Sequence, residues 1–451
     1  MLDEDIAEYA LKISKADYTE IRVEEIKGNE ISFVGELKGV ESFHRHGFSI
    51  RIIKDGVVGF SFSNVLSRKS VKEAIENAMK SRVRIKHIVK FGNEKMEEGK
   101  DVVKGKEATI DEKIEYIKEL DAISKNQKSF FYDDEIMEKY YVNSEGARIY
   151  SKIPRVSLYY LITETNGRVE QMSREFGNTG GWEKVKEWNV EQHIEHDSKF
   201  LRDLIEKGQK APKKGSVVLS PYITGLIAHE SCGHPWEADR IIGREAAQAG
   251  KSFVKPGMLG KEFGSHMVSV ADDPTLKGSY GYYKYDDEGI KARERLLIKN
   301  GIINEFLHNR YTAYLMGGHS NAAARAAYGR EPIVRMANTY FLPGDYSFEE
   351  MLEGIKEGVY IKTYMEWNID DVRYNQKYVG QEAYIIKDGE IDGIAYHPAI
   401  EFTTPFFYKN IVAMGKNLEF YAATCGKGDP MQGVPVTTGG VDIRLDNMVI
   451  K

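Results

Sequence analysis

The sequence predicts an α+β fold, rich in antiparallel sheet, built as a multidomain chain with one metal-binding helix packed on a C-terminal sheet. Three observations carry this. Apolar residues alternate with polar ones over long stretches, the signature of half-buried strands. An Ile-Lys-Asp/Asn-Gly turn recurs at 53–56, 298–301 and 386–389, and such Asp-Gly or Asn-Gly pairs close tight hairpins. Between these sheet signals lies a short run dense in imidazole, carboxylate and thiol, His229-Glu230-Ser231-Cys232-Gly233-His234-Pro235-Trp236-Glu237-Ala238-Asp239.

Taken in order, Leu2 to Lys15 sets Ile6, Tyr9, Ala10 and Ile13 on one face of an amphipathic helix. Tyr18 to Arg45 alternates as strand, and Ser49 to Phe60 is a hairpin turning at Asp55-Gly56. A helix follows from about Ser70 to Arg82, and Lys90 to Lys106, apolar-poor, reads as a connection. Residues 1–106 form a first helix-plus-sheet domain. Residues 107–212 repeat that composition, with a helix over Ile110 to Asn126, strands over Ser129 to Gln171 turning at Asn166-Gly167, and a charged helix over Lys184 to Lys207. His193 and His196 on that charged helix belong to a solvated face, and His44 and His46 are ordinary sheet residues. Ala211-Pro212 marks the last boundary. The C-terminal domain, 213–451, opens with a strand over Gly215 to Ser220 that feeds the His-rich stretch, and beyond Gly243 it is glycine- and strand-rich.

Composition narrows the function classes. A net charge of −6 leaves no electrostatic footprint for nucleic acid. No apolar run approaches the roughly 20 residues that span a bilayer, and the N-terminal residues lack a signal peptide's basic and apolar regions, so no membrane association and a cytoplasmic location are expected. The two cysteines, Cys232 and Cys425, are then expected to be unpaired.

The His-rich run follows the apolar segment Ile223 to Ala228, so it continues a helix. In the related pattern HExxH, histidines at i and i+4 share a helix face and one zinc ion, with the Glu as general base. Here the second His comes one place later, and on an ideal helix the two rings would diverge by roughly 140°. The backbone has to bend. Gly233 tolerates unusual dihedrals and Pro235 cannot continue the hydrogen-bond ladder, which predicts a helix from about Tyr222 to Cys232, a π-bulge or break before His234, and a second short helix near Pro235. Cys425, in the glycine-rich turn Thr424-Cys425-Gly426-Lys427-Gly428-Asp429-Pro430, is where a thiolate can be presented to a metal, although a lone loop cysteine is more often inert.

With Cys425 set beside the H-E-x-x-x-H, the chain resembles the TldD/PmbA family of metallopeptidases, long labelled modulators of DNA gyrase. Further residues carry the resemblance: Gly278-Ser279-Tyr280-Gly281 leading to Asp286-Asp287-Glu288-Gly289, Arg335-Met336-Ala337-Asn338-Thr339 with Pro343-Gly344-Asp345, Tyr360-Ile361-Lys362, and Thr424-Cys425-Gly426-Lys427. Tyr282-Tyr283-Lys284-Tyr285 departs from it as an insertion-like stretch. Both histidines and the late cysteine align the chain with the catalytic TldD branch rather than the metal-free PmbA (TldE) branch. The resemblance implies one Zn²⁺ per chain held by His229, His234 and Cys425, and Glu230 as general base. Glu237 competes with Cys425 as third ligand; orienting the histidines is the role favoured for Glu237 and Asp239. It also implies a substrate of short or unfolded peptide and a PmbA/TldE-like partner subunit, or a homodimer. Exposed strand edges suit a peptide bound as an extended strand.

A thiolate ligand weakens the ion as a Lewis acid, so further oxyanion donors are expected, and His319, Arg325 and Tyr328 are candidates from the composition of their segment. The competing readings are a non-catalytic regulatory or binding protein of the gyrase-modulator type, and a zinc amidase acting on a non-peptide substrate.

Overall fold

The structure, a computed structural model, describes residues 3–82, 88–245 and 247–451. Leu2, from which the sequence starts its first helix, lies outside them. Strand outweighs helix, 42% against 23%, which is the α+β composition that the alternation predicts.

The first half of the chain runs α1 (Glu4–Ile13), β1 (Tyr18–Val34), β2 (Leu37–Lys54), β3 (Val57–Ser63), α2 (Arg68–Lys80), β4 (Glu98–Val102), α3 (Ile110–Ala122), β5 (Gln127–Asn143), β6 (Arg148–Thr165), β7 (Val169–Thr179) and α4 (Val190–Lys207). All seven strands make one sheet in the order β3-β2-β1-β5-β6-β4, with β7 also on β6. Strands from 1–106 and from 107–212 therefore share a single sheet, joined where β1 pairs antiparallel with β5. β4 lies inside the stretch the sequence reads as a connection. Its Glu-Gly-Lys-Asp-Val residues show no apolar alternation, and it is held by main-chain pairing parallel to β6.

One face of this sheet is apolar. Ile6, Ala10, Val71, Ala74 and Ala78 of α1 and α2 pack on Ile21, Val23, Ile50 and Ile52, while Ile117, Leu120, Ile194 and Leu201 of α3 and α4 pack on Phe130, Leu158 and Tyr160. The alternate positions of β1 carry charge and are buried too. Arg51 bridges Glu20 and Glu288 at 2.8 Å each, and Asp287 meets Arg22 at 3.6 Å and also Lys139. Buried charges persist only when paired, so the segment Asp286-Asp287-Glu288 is where the C-terminal half is keyed onto the sheet. The tyrosine-rich stretch strengthens the joint: Tyr282 Oη donates to Asp101 of β4 at 3.1 Å.

In the C-terminal half, β8 (Lys214–Leu219) is an inner strand of a six-stranded sheet, parallel to Glu357–Ile361 on one side and antiparallel to Ile443–Val449 on the other. A second six-stranded sheet ends in the hairpin of Glu419–Lys427 and Gln432–Gly440, and Glu419–Lys427 is its edge. Helix α5 (Pro221–Ala228) follows β8 directly, with Ser220 as its N-cap and Pro221 in its first turn. It lies on the second sheet through glycine: a β-carbon on Gly440 would sit 2.1 Å from Thr224 Oγ1, so only a bare backbone allows the helix this close. The three Ile-Lys-Asp/Asn-Gly turns place both central residues at positive φ, as at Asp55 (53°) and Gly56 (71°), the geometry of type I′ hairpins, whereas at Asn166-Gly167 only the glycine does. No described helix is long and apolar enough to cross a membrane.

Candidate metal centre

Helix α5 ends at Ala228, His229–Gly233 forms a single π turn, His234–Trp236 a 3-10 turn, and a four-residue helix, Ala238–Ile241, follows. The one-residue excess of the H-E-x-x-x-H spacing is absorbed in that π turn, which swings the two imidazoles together until their ring centroids are 4.9 Å apart. Glycine suits position 233, because a β-carbon there would meet the Met336 sulfur at 1.8 Å and force that side chain to move.

Cys425 arrives from the edge strand Glu419–Lys427. Its Sγ is 3.5 Å from His234 Nε2, and one ligating atom from each of His229, His234 and Cys425 lies within 4.8 Å of the others, all three residues buried. Two ligands at a tetrahedral angle on one zinc, with Zn–N about 2.0 Å and Zn–S about 2.3 Å, stand roughly 3.5 Å apart. The His234–Cys425 pair has that separation, and two imidazoles with a thiol are donors that suit zinc. His229 Nδ1 is buried with no hydrogen-bond partner, and both cysteines are free thiols.

The electrostatics favour the ligating forms of Cys425 and His234, whereas at His229 burial, which would lower the imidazole, is outweighed by Cys425, Glu230 and Glu237, which raise it. Burial alone would raise the Cys425 thiol, but the imidazoles of His234 and His229 outweigh it and hold the thiol well below its ordinary value. Burial drives His234 well below the usual imidazole range, with Arg240 and Arg373 adding to the effect against the pull of Cys425.

Behind the histidines stands a buried relay. His234 Nδ1 meets Glu237 Oε2 at 3.0 Å, and the same oxygen accepts from Arg240 Nε at 2.6 Å. Burial would raise the Glu237 carboxyl, yet Lys427, Arg240 and Arg335 bring it below its usual value. Lys427 Nζ lies 3.2 Å from Glu237 and donates to Asp239 at 2.7 Å and to the Val334 carbonyl at 2.7 Å. Because Lys427 is two residues past Cys425, both side chains leave the strand on one face, and the lysine pins the register that delivers the thiol. Arg335 completes the clamp, donating to the carbonyl oxygens of Cys425 and Gln432. Glu237 and Asp239 thus stand behind the metal-facing atoms, one orienting a histidine and the other holding the strand.

Glu230 follows His229 in the same π turn, and its Oε2 accepts from Arg373 at 2.8 Å. The expected oxyanion donors are engaged elsewhere. His319 is an exposed side chain 3.4 Å from Glu94, Arg325 donates to the Met336 and Pro435 carbonyls, and Tyr328 packs edge-on to Phe62. Nor is the α4 pair simply solvated: His193 packs against Phe176 and His196 Nε2 sits 3.0 Å from the buried Glu382. Sequence reading missed Arg373, for which there was no local signal. Lys427, Arg335 and Met336 stood inside the motifs that carried the resemblance, and their roles became visible only with the contacts.

Comparison with known proteins identifies the family. Family models for the PmbA/TldA metallopeptidase match along the chain: domain 1 over residues 19–82, the central domain over 104–208 and the C-terminal domain over 212–451. A metalloprotease of Methanocaldococcus jannaschii is 31% identical over 95% of this chain and 96% of its own length. A protein of Saccharolobus solfataricus named as a zinc metalloprotease TldD homologue is 28% identical, with 96% of each chain covered. Among solved structures, a protein of Thermotoga maritima described as a modulator of a DNA gyrase superposes with a TM-score of 0.80 at 19% identity, covering 99% of this chain and all of the other. TldE of Thermococcus kodakarensis superposes with a TM-score of 0.73 at 20% identity, covering 99% of each; at these identities the two share the fold. The class that the family models and the named relatives define is a metallopeptidase. The chain belongs to the PmbA/TldD metallopeptidase family, and a metal cofactor goes with that membership.

Proposed function

We propose that this chain hydrolyses peptide bonds with a single zinc ion held by His229, His234 and Cys425, and with Glu230 as the general base. The observation that carries the reading is the convergence of two imidazoles and a distant thiol, all buried, with a carboxylate one residue from the first ligand. Bound there, zinc would supply Lewis-acid polarisation of the scissile carbonyl and acidify a water. Three protein donors leave a fourth position, as in catalytic rather than structural sites. Glu230 accepts the attacking water's proton on a carboxylate oxygen and returns it to the departing amine nitrogen. Glu237 holds the His234 ring by its Nδ1, which leaves Nε2 directed at the ion.

The substrate in this reading is a short or unfolded peptide bound as an extended strand. Two sheet edges support it: Glu419–Lys427, which carries Cys425, and Tyr364–Ile369, the edge of a three-stranded sheet whose next turn carries Arg373. A TldE-like subunit or a second copy completes the assembly, a reading supported by the fold shared with TldE. The two free cysteines accord with a cytoplasmic location. A purely regulatory role leaves Glu230 without a use beside the donor set.

The deciding experiment is zinc analysis and mixed-peptide cleavage by the full chain, alone and with its TldE-like partner, with Glu230→Ala and Cys425→Ala as controls. Wild type is expected to hold about one zinc and to cleave, Glu230→Ala to hold zinc without cleaving, and Cys425→Ala to lose most of its metal. Equal cleavage by wild type and Glu230→Ala would overturn the reading. Turnover of a non-peptide amide alone would favour the amidase reading, and full zinc occupancy in Cys425→Ala would hand the third position to Glu237.

A further inference from the structure

The donor set of two imidazoles and a thiolate leaves more of the developing negative charge to the protein than three neutral ligands would, so a second donor aimed at the scissile oxygen has chemical work to do. The cations nearest the centre are mostly committed. Arg240 is bound to Glu237 and the Ala249 carbonyl, Arg335 to two carbonyls and Lys427 to Asp239 and Val334.

Arg373 differs from all of them. It stands in the turn between Tyr364–Ile369 and Asn375–Gly380 at φ 66°, a left-handed conformation that a side-chain-bearing residue holds only when its surroundings impose it. They do: Asp370 accepts from the Tyr374 and Asn375 amides at 2.8 and 3.0 Å, Thr404 Oγ1 donates to the Arg373 carbonyl at 2.7 Å, and the Val372 carbonyl takes the Phe253 amide at 3.0 Å. The turn is thereby set to aim one guanidinium at Glu230. Among the described residues only one amino nitrogen of that guanidinium makes a hydrogen bond, to Glu230 Oε2 at 2.8 Å, and Nε is buried without a partner. An unpaired buried donor costs about 1–3 kcal/mol, and it is a cost that a bound acceptor removes.

We propose that Arg373 is a catalytic residue of this site, the donor to the oxyanion of the tetrahedral intermediate, and that its contact with Glu230 is the resting arrangement that substrate rearranges. The proposal rests on the peptidase reading above. As water oxygen bonds to the scissile carbon, its proton passes to Glu230 and the carbonyl π pair moves onto oxygen. Arg373 N–H groups donate to that oxygen. When the C–N bond breaks, the pair on oxygen re-forms the carbonyl, the proton on Glu230 goes to the amine, and the guanidinium returns to the carboxylate. No oxidant or further reactant is required.

The test compares wild type with Arg373→Ala and Arg373→Lys, each zinc-loaded and full length. For each variant, zinc content, thermal midpoint, kcat and KM on a fluorogenic peptide are measured. Calorimetric affinities are measured for that peptide's phosphinic analogue, which mimics the tetrahedral state, and, on a Glu230→Ala background, for the planar peptide itself. Arg373→Ala should keep its zinc and its midpoint, lose about 10²–10³ in kcat with KM little changed, and weaken for the phosphinate by a similar factor while planar binding holds; the lysine variant should fall between. Equal loss of phosphinate and planar affinity, no loss of either, or a fall in zinc content would overturn the proposal. The two readings fail separately. A wild type that cleaves nothing defeats the peptidase assignment, while the phosphinate comparison still decides Arg373, and a wild type that cleaves beside an undiminished Arg373→Ala defeats Arg373 alone.

Discussion

Gly233 lies against Met336 so closely that a methyl group on its α-carbon would sit 1.8 Å from the methionine sulfur. The π turn of the metal motif is thus seated on one side chain from another segment, and Met336 is itself 1% exposed. Gly233→Ala should destabilise the protein by about 1–3 kcal/mol through overpacking. Met336→Ala alone should cost about 2–5 kcal/mol, and the double variant should cost less than the sum of the two, since the added methyl enters part of the space vacated. Denaturant unfolding of the two single variants and the double gives the coupling energy, and strict additivity would show that the two residues do not compete for one volume.

On the reading proposed here, the Glu237 carboxylate, 3.0 Å from His234 Nδ1, is an outer partner of a ligand rather than a ligand. Glu237→Gln should therefore keep the zinc stoichiometry but lower the affinity about 10–100-fold, read by competition with a chromogenic chelator. Complete loss of zinc would place the carboxylate on the ion instead.

Lys427 has no exposed side-chain surface and sits between Glu237 and Asp239. Removing one member of a buried ion pair leaves the other charge uncompensated, at about 3–5 kcal/mol. Lys427→Met is expected in that range by urea unfolding, and a second change, Asp239→Asn, should restore part of it. Cys425 shares the strand, so zinc content should fall in the single variant and rise again in the double.

Glu175 of β7, next to Thr424, has its carboxyl pushed up from 4.5 to about 7, chiefly by burial and against the hydrogen bond from Thr424. Its folded state binds a proton more tightly than its unfolded state does. The stabilisation is therefore present below about pH 4.5 and lost as pH rises through 7, on the order of 3 kcal/mol in all. Glu175→Gln should be more stable than wild type at pH 8 and nearly matched to it at pH 4.5; unfolding curves at the two pH values measure the difference, and a pH-independent difference would refute the shift.

Local chemistry made much of this legible in the sequence. The Asp-Gly and Asn-Gly turns each take the dihedrals their residues prefer, and the alternation over Val156 to Thr165 lies within the strand Arg148–Thr165. The spacing of His229 and His234 forecast a disturbed helix because 3.6 residues per turn admits no other way to bring the rings together. What stayed hidden depends on pairing across long separations. Nothing local shows that β1 joins β5, or that β4, with no apolar alternation, is a strand. Arg373 reaches Glu230 from 143 residues away, and no neighbour of either residue marks the meeting. Arg325, chosen by type, proved to be tied to two backbone carbonyls, since residue type alone does not say which acceptors a folded chain will offer.

The thiol of Cys425 and the ring it faces on His234 are separated by 191 positions along the chain. Closing so large a loop costs more chain entropy than making a nearer contact. On the reading proposed here, a half-folded copy owns two histidines and no finished blade. The ability to cut would then ripen together with the native state, and unfinished siblings, themselves loose polypeptide, would be spared by enzymes not yet able to bite.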